Sequence, residues 1–98
     1  MGLLEKFIRS KLDKVMEDEK KYSFPRFLVK AREASGLSRR EVGEIVKASN
    51  HRIYQMELGN YLNHVDEHLL ESLAKLYFLD PRFLKMKYIE HMNAKKRN

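Results

Sequence analysis

The stretch GLSRREVGEIVKASNHRIYQMELG, Gly36 to Gly59, decides how this chain folds. Ser38-Arg39-Arg40-Glu41 is a capping box, in which the Ser38 hydroxyl meets the amide three residues on and Glu41 reaches back. The helix it opens presents Val42, Ile45 and Val46 inward and stops near Lys47. Ser49 caps a second helix, which buries Ile53 and Met56 and ends at Gly59. With those two inside, helical geometry turns Asn50, His51, Tyr54 and Gln55 outward, and leaves Ser49 at the exposed N-terminus.

Working outward, pattern and caps predict four more helices and no strand. Leu3, Leu4, Phe7, Ile8, Leu12, Val15 and Met16 recur at helical spacing and form one apolar stripe. The charged run Glu17 to Lys21 ends that helix. Ser23 caps the next, with Pro25 tolerated in its first turn and Phe27, Leu28 and Ala31 facing inward. After a polar loop from Asn60 to Val65, Asp66 caps a helix burying Leu69, Leu70, Leu73, Ala74, Leu76 and Tyr77. Asp80-Pro81 opens the last helix, with Phe83, Leu84, Tyr88, Ile89 and Met92 on its inner side and a frayed end from Asn93 to Asn98. The organisation expected is an amphipathic helix over 1–21, a central unit over 22–80, and a helix with a basic tail over 81–98.

Ninety-eight residues suit one small helical core. Cysteine is absent, which excludes disulfides and thiolate metal sites. The longest apolar run, Leu76 to Leu79, is too short for a membrane span, and the first residues lack a signal-peptide core. Lys6 stands where a myristoylation signal wants Ser or Thr. The expected location is the cytoplasm, with no membrane partner.

The net charge is +6, which favours polyanionic partners, and its distribution is uneven. Residues 22–65 carry seven Lys/Arg against four Asp/Glu, residues 81–98 six against one, and residues 66–80 one against four. Net positive charge thus sits on residues 22–65 and on the tail, and is absent from residues 66–80 between them.

Gly36-Leu37-Ser38, Glu41-Val42-Gly43, Val46, Ser49, Ile53, Met56-Glu57 and Gly59, followed by Leu70, Leu73 and Ala74, resemble the phage-repressor, Cro-like (Xre-like) helix-turn-helix family. The likeness covers roughly residues 23–80. It implies an all-α, lambda-repressor-like helix-turn-helix bundle, here with extra N-terminal and C-terminal helices. It also implies a structural ion pair between Arg32 and Glu57, and a small residue at Gly43 where two helices cross. Three features depart from the family pattern. Lys47 replaces the usual turn glycine, at a cost of about 1 kcal/mol for a left-handed backbone. The loop after Gly59 is longer, and Arg39 replaces a customary glutamine.

By this resemblance Ser49, Asn50, His51 and Gln55 are the base-contact positions, and Tyr54 joins them from the same outward face. The expected phosphate contacts are Ser38 and Arg39 at the start of the first helix, Arg52, which can also reach guanine, and Asn60, Tyr61 and Asn63 of the following loop, where His64 can touch the backbone too. The chemistry agrees: Asn50 and Gln55 can each pair bidentately with adenine, and helix N-termini favour phosphates. The function implied is a sequence-specific regulator that reads double-stranded DNA with the helix 49–58, acting as a homodimer. The alternative is a protein-interaction or antitoxin-type module using the terminal helices. The Leu3–Met16 stripe can pack on the last helix, near Phe83, Leu84 and Ile89, or form a dimer interface. No catalytic constellation and no cofactor motif is present. His64 and His68 lie at metal-binding spacing, but Asp66 starts a helix between them and no third ligand follows, so no metal is expected.

Overall fold

The computed structural model describes residues 2–96, apart from the side chains of Leu4 and Glu5. Among the described residues it is all helical: α1 Leu3–Glu17, α2 Phe24–Ser35, α3 Arg39–Val46, α4 Asn50–Glu57, α5 Glu67–Leu76 and α6 Pro81–Lys96. Two 3₁₀ turns, Glu19–Lys21 and Leu62–His64, join α1 to α2 and α4 to α5.

Capping side chains start α2 to α6, while α1 begins at Gly2 without one. Ser23 Oγ accepts from the Arg26 amide at 3.4 Å, Ser38 Oγ from Glu41 at 3.1 Å, Ser49 Oγ from Arg52 at 3.0 Å, and Asp66 Oδ1 from Leu69 at 2.8 Å. Each bond satisfies an amide that the first turn leaves without an intrahelical partner. Asp80 does the same for α6, its carboxylate accepting from the Arg82 amide at 2.9 Å. Gly36 ends α2 in the left-handed region, with φ 70°.

α2 is the central element and meets α1, α4 and α6. Its Phe24, Phe27, Leu28 and Ala31 are buried among Val42, Val46, Ile53, Met56, Leu73, Tyr77 and Leu84. Phe27 stands edge-on to Phe83 at 5.6 Å, and Phe24 edge-on to Tyr88 at 5.3 Å. Each such buried side chain contributes about 1.5–3 kcal/mol of transfer free energy. No described helix is long and apolar enough to cross a membrane.

The fold departs from the sequence expectations in several places. Ile45 is exposed, because α3 meets its neighbours through the narrow stripe Val42, Gly43 and Val46. Ile89 is exposed too; its expected place on the inner side of α6 is taken by Lys87, whose ammonium donates to the Glu19 carbonyl at 2.7 Å and carboxylate at 3.0 Å. The loop 60–65 is not wholly polar, since Leu62 and Val65 enter the core. The apolar stripe of α1 packs chiefly on α2, not on the last helix. Only its Leu12 is fully buried, with Ile8, Val15 and Met16 partly so, while Leu3 and Phe7 stay exposed; the Leu4 side chain lies outside the described residues. α6 continues to Lys96 with no break at Asn93, and Arg97 and Asn98 of the basic tail lie outside the described residues.

Candidate functional site

α3 and α4 are held together by one tight turn. The Ala48 amide donates to the Gly43 carbonyl at 2.8 Å, and Lys47 takes up the left-handed region at φ 60°, ψ 47°. A Cβ on Gly43 would lie 2.5 Å from the Ala48 carbonyl oxygen, so backbone alone fits there. The N-termini of both helices therefore have a fixed mutual orientation. Their first amides lack intrahelical partners and remain able to bind an anion. At the start of α3, the Ser38 amide donates to Glu41 Oε1 at 3.0 Å, which with the Ser38 hydroxyl holds the Glu41 carboxyl below its usual range.

Asn50, His51 and Tyr54 lie exposed on α4, with Ser49 ahead of them. Gln55 is half-buried and held: its Oε1 accepts from Asn60 Nδ2 at 2.9 Å, and its backbone carbonyl accepts from the Asn60 amide at 2.8 Å. The side-chain bond uses one lone pair of Gln55 and neither of its N–H groups. Asn60 is thus a brace for Gln55 as well as a loop residue.

Behind this face lies a carboxylate between two guanidinium groups. Glu57, its side chain 4% exposed, accepts from Arg32 Nε at 2.7 Å and from Arg39 Nε at 3.0 Å. Arg32 also donates to the Leu37 carbonyl at 3.0 Å, and its hydrogen bond to Glu57 raises its pKa further. Burial, with Glu57 nearby, pushes the Tyr77 phenol well above its ordinary value. Arg39, 41% exposed, lies over the Tyr54 ring at 5.0 Å. The Arg39–Glu57 bond had no local sequence signal, since the partners are on different helices. It ties the start of α3 to the end of α4 and leaves the outer guanidinium nitrogens of Arg39 available as donors.

The loop after α4 is held just as firmly. Arg52 donates through Nη2 to the His64 carbonyl at 2.5 Å, and the Tyr88 hydroxyl of α6 donates to the Leu62 carbonyl at 2.6 Å. Arg52 is therefore half-buried and turned toward the loop, while Tyr61, at φ 57°, and Asn63 are exposed. Ser49, His51, Arg52, Gln55, Asn60, Tyr61 and His64 line a groove of about 310 Å³ floored by Met56. The structure thus brings the α4 face, Arg39 and the 60–64 loop onto one continuous side. His64 lies in the 3₁₀ turn and His68 on α5, and among the described residues no three His, Asp or Glu side chains converge as a metal site would need.

Sequence reasoning did not place Lys95 and Lys96 beside this side. Lys95 Nζ donates to the Gly59 carbonyl at 3.3 Å, and both lysines line a groove with Tyr61, Asn63 and His64. Their charge was visible as a basic tail, but its position depends on how α6 docks. Comparison of the chain with protein-family models, with curated proteins and with solved structures finds no match.

Proposed function

We propose that this protein is a sequence-specific double-stranded DNA-binding regulator that lays α4 in the major groove. The observation that carries the reading is the outward row Asn50, His51, Tyr54 and Gln55, on a helix fixed at both ends. A helix fits that groove, and amide side chains can distinguish adenine by pairing with N6 and N7. The brace from Asn60 restricts the Gln55 amide before DNA arrives, which lowers the ordering cost on binding.

In this reading the exposed N-termini of α3 and α4, the Ser38 hydroxyl and the outer nitrogens of Arg39 approach phosphates on either side of the groove. Such contacts set register and orientation and carry no base information. Arg52, Tyr61 and Asn63 stand at the loop edge of the same surface, where sugar and phosphate would pass.

Exposed Leu3 and Phe7 on α1 support a second element of the proposal, that two copies pair through the N-terminal helix in the cytoplasm. Two-fold pairing would present two α4 helices to half-sites about one helical turn apart. The same exposed pair is what favours the alternative, a protein-interaction module of the antitoxin type.

The test is selection from a random duplex pool at physiological salt, followed by sedimentation of the free protein. One enriched motif with two-fold symmetry supports the reading. Retention without enrichment would reduce it to charge-driven coating, and no retention would leave the interaction module.

A further inference from the structure

The surface described above does not stop at the loop. The groove beside α4 and a second one of about 420 Å³ share Tyr61 and His64 as a common wall, and the second ends at Lys95 and Lys96. A strip therefore runs from Gln55 across the loop to the last turn of α6.

The cations of α6 differ along its length. Arg82 pairs with Asp80 at 3.0 Å, Lys85 with Glu67 at 2.6 Å and Lys87 with Glu19 at 3.0 Å. Lys95 and Lys96 have no carboxylate partner among the described residues. Lysines in a last helical turn do complement the helix dipole, which gives them a structural use. Yet Lys95 bonds to Gly59, at the end of the α4 segment, rather than to a carbonyl of its own helix. With the Tyr88–Leu62 bond, this fixes the end of α6 against the loop.

We infer that the last turn of α6 is a second DNA-backbone contact, in which Lys95 and Lys96, with Tyr61, Asn63 and His64, take phosphates flanking the site that α4 reads. The inference rests on the DNA-binding reading and extends it. Two unpaired cations held beside polar and aromatic side chains match a sugar–phosphate strand in charge and in mixed polarity. The contact supplies affinity and footprint, and no base discrimination.

The experiment compares full-length wild type, Lys95→Gln/Lys96→Gln, Lys96→Gln and Gln55→Ala on two duplexes. One ends at the selected motif, and the other adds about one turn of scrambled flank on each side. Wild type is expected to bind the longer duplex more tightly and with a steeper salt dependence. The double variant should lose that gain and keep the same preferred sequence. Each lost phosphate contact lowers the salt slope by about 0.9, so the double variant should lose about tenfold less affinity between about 50 and about 200 mM salt. Lys96→Gln breaks no recorded bond, so its slope, lower by about 1, reports the contact even if the double variant folds poorly.

Wild-type slope and length dependence in both lysine variants would overturn the inference, as would a changed base preference. If Gln55→Ala lost discrimination while the lysine variants matched wild type, this inference alone would fail. If wild type bound neither duplex, the DNA reading itself would fail with it.

Discussion

Arg32 Nε donates to Glu57 Oε2 at 2.7 Å, joining the middle helix to the end of α4 across 25 positions of chain. Arg39 takes the other carboxylate oxygen, so Glu57 is the common anion of two cations on two different helices. The Arg32 side chain is 12% exposed and Glu57 less still, whereas Arg39 is well solvated. The carboxylate therefore orients the α3–α4 pair against α2.

Glu57→Ala is expected to cost about 3–5 kcal/mol, because it leaves the Arg32 charge partly buried without its partner. Arg39→Ala should cost no more than about 1 kcal/mol, since exposed ion pairs are screened by water. Urea unfolding of the three proteins checks this, and equal losses for both substitutions would remove Glu57 from its central place.

The turn between α3 and α4 gives two substitutions of opposite sign. Gly43→Ala drives a methyl group into the Ala48 carbonyl oxygen, and overpacking of this kind costs about 1–3 kcal/mol. Lys47→Gly relieves a left-handed backbone and should stabilise by about 0.5–1 kcal/mol after the extra freedom of glycine in the unfolded chain is counted. Thermal melts should move down for the first and up for the second, by roughly 4–8 °C per kcal/mol.

His91 on α6 supplies a pH dependence. Its Nε2 is shut from solvent with no hydrogen-bond partner among the described residues, and burial, followed by the Lys95 charge, holds its pKa below the ordinary value of 6.5. Between the folded and unfolded values the unfolded chain binds more protons, so unfolding free energy rises with pH there. The stability is fully present above about pH 6.5 and falls as the pH drops from there through the folded value. His91→Gln should flatten this part of the profile. The depressed carboxyls of Glu41, Glu67 and Asp80 act at lower pH and cancel between the two proteins. Parallel profiles in urea titrations from about pH 5 to 8 would remove His91 as the cause.

If α4 reads DNA as proposed, substitutions at Asn60 and Gln55 separate positioning from reading. On the selected motif Gln55→Ala should cost about 1–3 kcal/mol and relax discrimination at one base pair. Asn60→Ala frees the Gln55 amide without deleting it. It should weaken binding by less, about 0.5–1.5 kcal/mol, and leave the preferred base unchanged. Binding across single-base variants of the motif distinguishes the two. A new base preference in Asn60→Ala would make it a reader rather than a brace.

The sequence signals that survived in the structure are short-range ones. Ser23, Ser38, Ser49 and Asp66 each bond an amide three residues on, so their spacing in the chain already states the contact. The outward face of α4 follows from Ile53 and Met56 by helical period alone. Ile45 and Ile89 were misplaced because periodicity defines an apolar arc but not how much of it the neighbours cover. Lys87 was missed because its partners, the carbonyl and carboxylate of Glu19, lie 68 positions away.

The amino-acid sequence by itself thus determined the six helices, the caps of α2 to α6 and the polar side of α4, because these depend on groups within one turn of each other. Only the tertiary structure decided that Arg39 shares Glu57 with Arg32, that Asn60 braces Gln55, and that Lys95 and Lys96 come to rest beside the loop after α4. The Arg39 and lysine relations join separate helices and the Asn60 brace depends on the path of the loop, so side-chain packing and hydrogen bonding across the core select them, and no local pattern encodes them.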